Sequence, residues 1–313
     1  MAKFFIFIFI LIFNTATSVS AKELWLTNIS VKELNKLYQS VNYTGFEDKT
    51  WLMIPSYKYP AIFLKKFPTD FYKITDEKER NSLFIKILAP LTLKLNQDLL
   101  EERQLILDIQ KDFETNSKLS NTQIQLIEEK STKYDVFTRL ENEQRYNFLI
   151  KELLKRIDII PPSIMITIAS IETNFGISRI LKEGNSLYKI LIWHSKEGLK
   201  PLGEKQDDSY RIKTYPDIYQ SLKDFALKIN SSPNFNFLRT TRHHSRKMSS
   251  SSHIQGSTIS AFAFKNSELH NYAGIIDYTL SYYELSVIDK STLHDESITP
   301  TIEKKYAKYI IKK

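Results

Sequence analysis

The apolar residues of this chain recur mainly at the three- and four-residue spacing of α-helices. One long run comprises Leu83, Ile87, Leu91, Leu95, Leu99, Ile106, Ile109 and Phe113. It predicts a helical stretch that Pro90 kinks or splits, with Thr75 able to cap its start. The same spacing predicts further helices over 146–157, 218–229 and 271–288.

Other segments follow a different pattern. The motif Ser120-Asn121-Thr122 signals a helix start inside the polar stretch 115–145. The segment "SYRIKTY" (209–215) alternates as a strand does, which predicts a short hairpin within 193–216. Residues 239–257 are basic and rich in serine and predict a surface loop, and the tail from Asp289 is charged and predicts poor packing.

One acidic residue stands out against this background. A helix over 163–175 follows the pair Pro161-Pro162 and should stop near Gly176. At 100° per residue, Glu172 falls on the face that carries Met165 and Ile168. A carboxyl group in an apolar site tends to keep its proton, as a general acid must. A structural ion pair, or capping of a neighbouring helix, would explain the same position.

The N-terminus has the features of a secretory signal peptide. Lys3 precedes the apolar run Phe4–Phe13, and Val19-Ser20-Ala21 offers small residues for cleavage before Lys22. This apolar run is far shorter than the ~20 residues that a membrane span needs. The chain has no cysteine, which excludes disulfides and a lipidated cysteine. These features predict export to the periplasm or cell surface of a bacterium.

Charge narrows the class of partner. Lysine and arginine exceed aspartate and glutamate by 44 to 36, a net charge of +8. This suits an acidic partner such as an anionic polymer. No arginine-rich run or RNA-binding motif supports nucleic acid as that partner.

The stretch "IASIETNFGISRILKEGNSLYK" (168–189) resembles the bacterial glucosaminidase domain of the glycoside hydrolase family 73 type. The motif of that family runs Glu-Ser-x-Trp-Gly-x-Ser and then Asn-Asn-Leu-Phe-Gly. The residues in register are Glu172, Thr173, Phe175, Gly176, Ser178, Asn185, Ser186, Leu187 and Tyr188. The segments "FPTDFYKITDEKERNSLFIKILAPLTLKLNQDLLEER", "GLKPLG", "YPDIYQSLKDFALKINSSPNFNFLR" and "NYAGIIDYTLSYYELSVI" extend the likeness over most of 60–290, most closely to Bax-like proteins. The departures from the motif are Phe175 for Trp, Ser186 for Asn, Lys189 for Gly, and Phe264 for a usual Tyr.

The resemblance implies a mostly α, lysozyme-like fold with a small β-hairpin. It divides the chain into a signal peptide (1–21), a helical N-terminal region (22–145), a glucosaminidase domain (146–290) and a charged tail (291–313). It implies hydrolysis of the β-1,4 bond after N-acetylglucosamine in peptidoglycan, with Glu172 as general acid and without a metal or organic cofactor. Peptidoglycan glycan strands, which carry acidic stem peptides, are then the expected partner. A lytic transglycosylase and a catalytically silent wall-binding or scaffold protein are the alternatives.

A glycosidase usually needs a second carboxylate, and the family places it on a mobile hairpin. The candidates here are Glu197, Glu204, Asp207 and Asp208. Asp208 is favoured because it lies just before the predicted strand, while the acetamido group of the sugar could replace any protein partner.

The remaining site predictions concern sugar contacts. The expected substrate-binding residues are Asn174, Phe175, Asn185, Tyr188, Trp193 and Tyr272. Tyr188, Trp193 and Tyr272 could equally be core residues. His243, His244 and His253 are better explained by a basic surface loop than by a zinc site.

Overall fold

The computed structural model describes residues 23–43, 57–202, 209–248, 273–294 and 298–311. The predicted signal peptide, Asp207, Asp208, Glu204, Phe264 and Tyr272 lie outside these residues.

Helices dominate the described chain, and the strands are short. The helices are α1 (Val31–Ser40), α2 (Glu77–Asn116), α3 (Asn121–Lys133), α4 (Asn142–Arg156), α5 (Pro162–Thr173), α6 (Arg179–Gly184), α7 (Ile218–Ser231), α8 (Asn236–Met248), α9 (Ala273–Tyr282) and α10 (Pro300–Tyr306). The strands are β1 (Leu24–Leu26), β2 (Lys58–Pro60), β3 (Ile62–Leu64), β4 (Leu191–Trp193), β5 (Tyr210–Ile212) and β6 (Thr292–His294). The expectation of a mostly α protein with small sheets is confirmed.

The strands in the described part of the chain form three two-stranded sheets. β1 pairs with β3 and β2 with β6 in parallel, whereas β4 and β5 pair antiparallel as the predicted hairpin. In the hairpin, Leu191 lies opposite Ile212 and Trp193 opposite Tyr210. No helix within the described ranges is both long and apolar enough to cross a bilayer.

Helix α2 runs unbroken through Pro90, so the predicted split does not occur. A proline has no N–H to donate to the carbonyl four residues earlier, here that of Lys86. The hydroxyl of Tyr43 donates to this carbonyl at 3.1 Å and replaces the lost hydrogen bond. The start of α2 is capped by Asp76, which accepts from the Glu79 amide at 2.8 Å, and not by the predicted Thr75.

The first half of α2 and most of α5 form the centre of the protein. Residues 81–93 of α2 and 162–170 of α5 are buried on every side. A helix that is enclosed all round needs no polar face, and two hydroxyl groups of α5 bond to the backbone of the same helix. Ser170 donates to the Thr167 carbonyl at 2.7 Å, and Thr173 donates to the Ala169 carbonyl at 2.6 Å.

Two apolar clusters make up the core. The larger cluster joins residues 24–99 with residues 159–306, on both sides of the boundary predicted at 145/146. The smaller cluster lies within 106–157 and packs the second half of α2 against α3 and α4.

Residues 239–248 form the greater part of helix α8, so the prediction of a loop there is wrong. Arg242 is fully buried and donates to the carbonyls of Ile159 and Arg156 at 2.9 Å. Arg239 donates to the carbonyl of Ile229 at 2.8 Å. These guanidinium groups satisfy carbonyls at the ends of α4 and α7, which hold no partner within their own helices.

Asp158 is the acidic partner of Arg246, Arg103 and Arg242 in this region. It is 2% exposed and bonds to both Nε, at 2.7 Å, and Nη2 of Arg246. Burial alone would raise the pKa of Asp158, but Arg242, Arg246 and Arg103 outweigh burial and hold the pKa below its usual value. Burial lowers the pKa of Arg242 to about 10, which leaves it charged at neutral pH.

The C-terminal tail is packed, contrary to the prediction from its charge. Strand β6 pairs with β2, and Tyr306 is 1% exposed in the larger core. The backbone of Ile310 bridges to Leu26, and the amide of Ile311 donates to the Trp25 carbonyl at 3.0 Å. Backbone pairing and one buried aromatic ring therefore hold a segment that is charged on its outer side.

Candidate functional site

Glu172 is placed by a helix that is fixed at its beginning. Asp289 accepts from the Ser163 amide at 2.9 Å and from the Ser163 hydroxyl at 2.7 Å, across 126 residues of sequence. A carboxylate stabilises the positive end of a helix dipole and satisfies a free N–H there. Glu172 lies at the opposite end of α5, one residue before the last.

The turn that follows α5 is unusual in its backbone. Asn174, Phe175 and Gly176 have φ angles of 48°, 50° and 90°. Asparagine and glycine tolerate positive φ, whereas phenylalanine does not, so Phe175 is held in a costly conformation. The amide of Phe175 donates to the Ser170 carbonyl at 2.8 Å, and the amide of Gly176 donates to the Thr173 hydroxyl at 3.0 Å. Strain of this kind is concentrated at functional sites in proteins.

The carboxyl group of Glu172 is mostly removed from water. Its side chain is 11% exposed, and Oε2 is buried without a hydrogen bond among the described residues. Lys189 Nζ lies 3.4 Å from this oxygen, close enough for an ion pair, while half of the lysine side chain stays in solvent. Glu172 therefore lies at the C-terminal end of α5 with one carboxyl oxygen turned away from water and a lysine ammonium beside it.

A row of aromatic rings leads away from the Glu172 turn. Phe175 packs against Phe84 at 5.9 Å and against Tyr283 at 5.0 Å between ring centroids. From Tyr283 the contacts continue to Tyr282 at 4.9 Å, and from Tyr282 to Tyr278 at 5.7 Å. Tyr278 and Tyr282 are 66% and 60% exposed. The row therefore begins at Phe175, on the turn that follows Glu172, and ends in exposed rings on which a sugar ring could stack.

Two of the predicted sugar contacts have structural roles. Tyr188 is 2% exposed, stacks on Phe225 at 3.8 Å and donates to the Met165 carbonyl at 3.1 Å. The prediction that Tyr188 binds substrate is corrected, because its ring and hydroxyl are both used inside the core. Asn185 ends α6 with a φ of 48°, and its amide donates to the Tyr215 carbonyl at 2.9 Å.

The other predicted contacts remain at the surface. Asn174 is exposed, and Phe175 is half-buried on the Glu172 turn. Trp193 is 59% exposed on strand β4 and contacts Tyr210 at 5.2 Å. Glu197 is exposed beyond the hairpin strand. The favoured second carboxylate, Asp208, falls outside the described residues, as do Glu204, Asp207 and Tyr272.

Sequence reasoning missed Lys189 as the ion-pair partner and the tyrosines of the aromatic row. The spacing of Tyr278 and Tyr282, four residues apart on a helix, was the available signal. No group of three or more His, Asp or Glu side chains within the described chain is arranged to hold a metal ion.

Comparisons with known proteins returned no relative. The chain matches no protein-family model, no curated protein and no solved structure. The resemblance to the glucosaminidase domain therefore stays a prediction from the motif residues.

Proposed function

We propose that this chain is an exported glycosidase that hydrolyses the β-1,4 bond after N-acetylglucosamine in peptidoglycan. The observation that carries the proposal is the buried, unbonded Oε2 of Glu172 beside the aromatic row. This oxygen accepts no hydrogen bond from the described residues, although Lys189 Nζ lies 3.4 Å away, and a buried polar atom with so little support calls for a functional explanation. The net charge of +8 supports an acidic polymer as the substrate.

In this proposal Glu172 acts as the general acid. Its protonated form gives its proton to the glycosidic oxygen as the bond to the anomeric carbon breaks. Positive charge then develops on the sugar ring, and either a second carboxylate or the 2-acetamido group of the substrate stabilises that charge. Phe175, Tyr282 and Tyr278 are proposed to hold the glycan by stacking on its sugar rings.

Lys189 favours one alternative, the catalytically silent wall-binding protein. The glucosaminidase motif has glycine at this position, and here the ammonium group lies 3.4 Å from Glu172 Oε2. A carboxyl group that is engaged in an ion pair can serve a structural or binding role instead of a catalytic one. The same surface would then bind glycan without cleaving it.

Product analysis on purified peptidoglycan tests the proposal. A hydrolase releases fragments with a reducing N-acetylglucosamine end, and a lytic transglycosylase releases an anhydro end. Reducing ends from the chain support the proposal. Anhydro ends support the transglycosylase, and bound but uncut peptidoglycan supports the silent protein.

A further inference from the structure

A cleft of about 650 Å³ lies on another part of the molecule. It is formed by α2, the end of α3, the segment 213–216 and α7, and no residue of α5 or of its following turn lines it. Its wall takes Leu95 and Leu99 from the larger core and Tyr134 from the smaller one. The cleft thus sits where the two apolar clusters meet, a common place for ligand sites, and its size is typical of them.

The polar groups of the cleft are held in place by one another. Asp224 Oδ2 accepts from Lys213 Nζ at 2.8 Å and from the Tyr215 hydroxyl at 2.7 Å. Glu102 Oε2 accepts from the Tyr134 hydroxyl at 2.8 Å, and Lys133 bonds to its other oxygen at 2.9 Å. Because these side chains are already held in place, they lose little conformational entropy when a ligand binds.

Several polar groups in the cleft remain available to a ligand. Asp224 Oδ1 accepts no hydrogen bond from the described residues, since both of the bonds to this carboxylate end on Oδ2. The hydroxyl of Thr214 and the amide of Gln220 have no side-chain partner within the described chain. The ammonium of Lys223 lies 5.2 Å from the ring centroid of Tyr219 and forms no hydrogen bond or ion pair with the described part of the chain. The cleft therefore offers both acceptors and donors to a ligand.

Charge in the cleft is balanced. The lining residues with charge are Asp98, Glu102, Asp224, Lys133, Lys213 and Lys223. Three negative and three positive groups give no net attraction for an anion or a cation. A charged ligand would also have to lose its own hydration and compete with ion pairs that are already formed. The cleft instead suits a neutral ligand with many hydroxyl or amide groups and some apolar surface.

We propose that this cleft binds a short, uncharged oligosaccharide, as a second sugar site separate from Glu172. Sugars have hydroxyl groups that can bond to the carboxylate, amide and lysine side chains, and C–H faces that can pack against Leu95 and Leu99 in the wall of the cleft. The assignment of a saccharide rests on the cleft alone. The choice of N-acetylglucosamine as its unit rests on the proposed function.

Binding of the N-acetylglucosamine tetramer to the full chain tests the site. The measurement is titration calorimetry on the Glu172→Gln variant, so that the ligand is not cut. Gln220→Trp fills the cleft, and Asp224→Asn removes a charged acceptor while keeping its shape. Each should weaken at least tenfold the component of tetramer binding that belongs to the cleft, whereas Gln104→Trp on the exposed face of α2 should leave every component unchanged.

Two results would overturn this inference. One is no measurable binding of the tetramer, and the other is binding that neither cleft variant alters. Gln220→Trp serves as the test if Asp224→Asn proves unstable through loss of its bonds to Lys213 and Tyr215. Tetramer binding in a protein that does not cut peptidoglycan would leave this site standing while the proposed activity fails.

Discussion

Replacing Gly176 by alanine tests whether the turn after Glu172 is rigid. The φ of Gly176 is +90°, which costs an alanine about 1–2 kcal/mol. A Cβ there would lie 2.8 Å from Phe71 Cε1 and 3.0 Å from Phe84 Cδ2. Both rings are 0% exposed and cannot move aside freely, so overpacking adds about 1–3 kcal/mol. Gly176→Ala should therefore lower the free energy of unfolding by about 2–5 kcal/mol.

Thermal and denaturant unfolding measure this loss, and Gly274→Ala provides the matched control. Nothing lies within 4 Å of a Cβ at Gly274, which sits in helix α9. The control should be neutral or gain up to ~1 kcal/mol from the better helix propensity of alanine. At ~2–4 °C per kcal/mol, Gly176→Ala should melt roughly 4–20 °C below the wild type. Equal melting temperatures for Gly176→Ala and the wild type would refute the reasoning, because the turn would then adjust without cost.

The remaining predictions concern charge and export. Lys189→Met removes the cation beside Glu172 and should raise the rate of hydrolysis at neutral pH by up to about fivefold. This factor corresponds to the ~1 kcal/mol that an exposed ion pair contributes at most. The control Lys196→Met changes an exposed lysine and should leave the rate unchanged. A fall in rate would show that the ammonium assists catalysis. Folding lowers the pKa of Asp158, so the stability that this carboxylate gives the protein is present above about pH 4 and lost in more acid solution. Asp158→Asn should lower the free energy of unfolding at pH 7 and reduce the dependence of that free energy on pH in acid solution. Mass spectrometry of the secreted protein should find a chain that starts at Lys22, and an intact N-terminus would contradict cleavage.

The sequence predicted the start of a helix correctly where the residues that stabilise that start are close to it in the sequence. Ser120 caps α3 in a reciprocal capping box with Gln123, within four residues of sequence. The pair Pro161-Pro162 begins α5, as the preference of proline for a first turn predicts. Such features depend on neighbours in the chain, and a pattern along the sequence can therefore reveal them.

Elements held by distant partners could not be predicted in this way. The polar residues of α8 led to the prediction of a loop. In the structure, Arg242 of this helix donates to carbonyls more than 80 residues away in the sequence. The tail is held by pairing of β6 with β2, which a charge pattern does not report. The hydroxyl of Tyr43, 43 residues before Lys86 in the sequence, supplies the hydrogen bond to the Lys86 carbonyl that Pro90 cannot make.

The candidate site shows the same division. The position of Glu172 follows from helical spacing, and the structure places its side chain largely out of water, as that spacing predicted. The partner Lys189 and the row that leads to Tyr278 arise only when α5, the segment before β4 and α9 come together. Tyr188, in the segment between α6 and β4, proved to be a core residue, and a motif does not show whether an aromatic ring faces the core or the surface.

The central claim is that Glu172 supplies a proton to the glycosidic oxygen. The most direct test compares the rate of peptidoglycan hydrolysis by Glu172→Gln and by Glu183→Gln, a control on α6 whose side chain is half-exposed and pairs with Arg179. Glutamine keeps the shape of glutamate but cannot give a proton, so Glu172→Gln should lose about 10²–10⁴-fold in rate. Its stability should hold or rise, because a neutral amide replaces a mostly buried ionisable group. The control should match the wild type. A Glu172→Gln variant that cuts at the wild-type rate, or that loses activity only because it unfolds, would contradict the account.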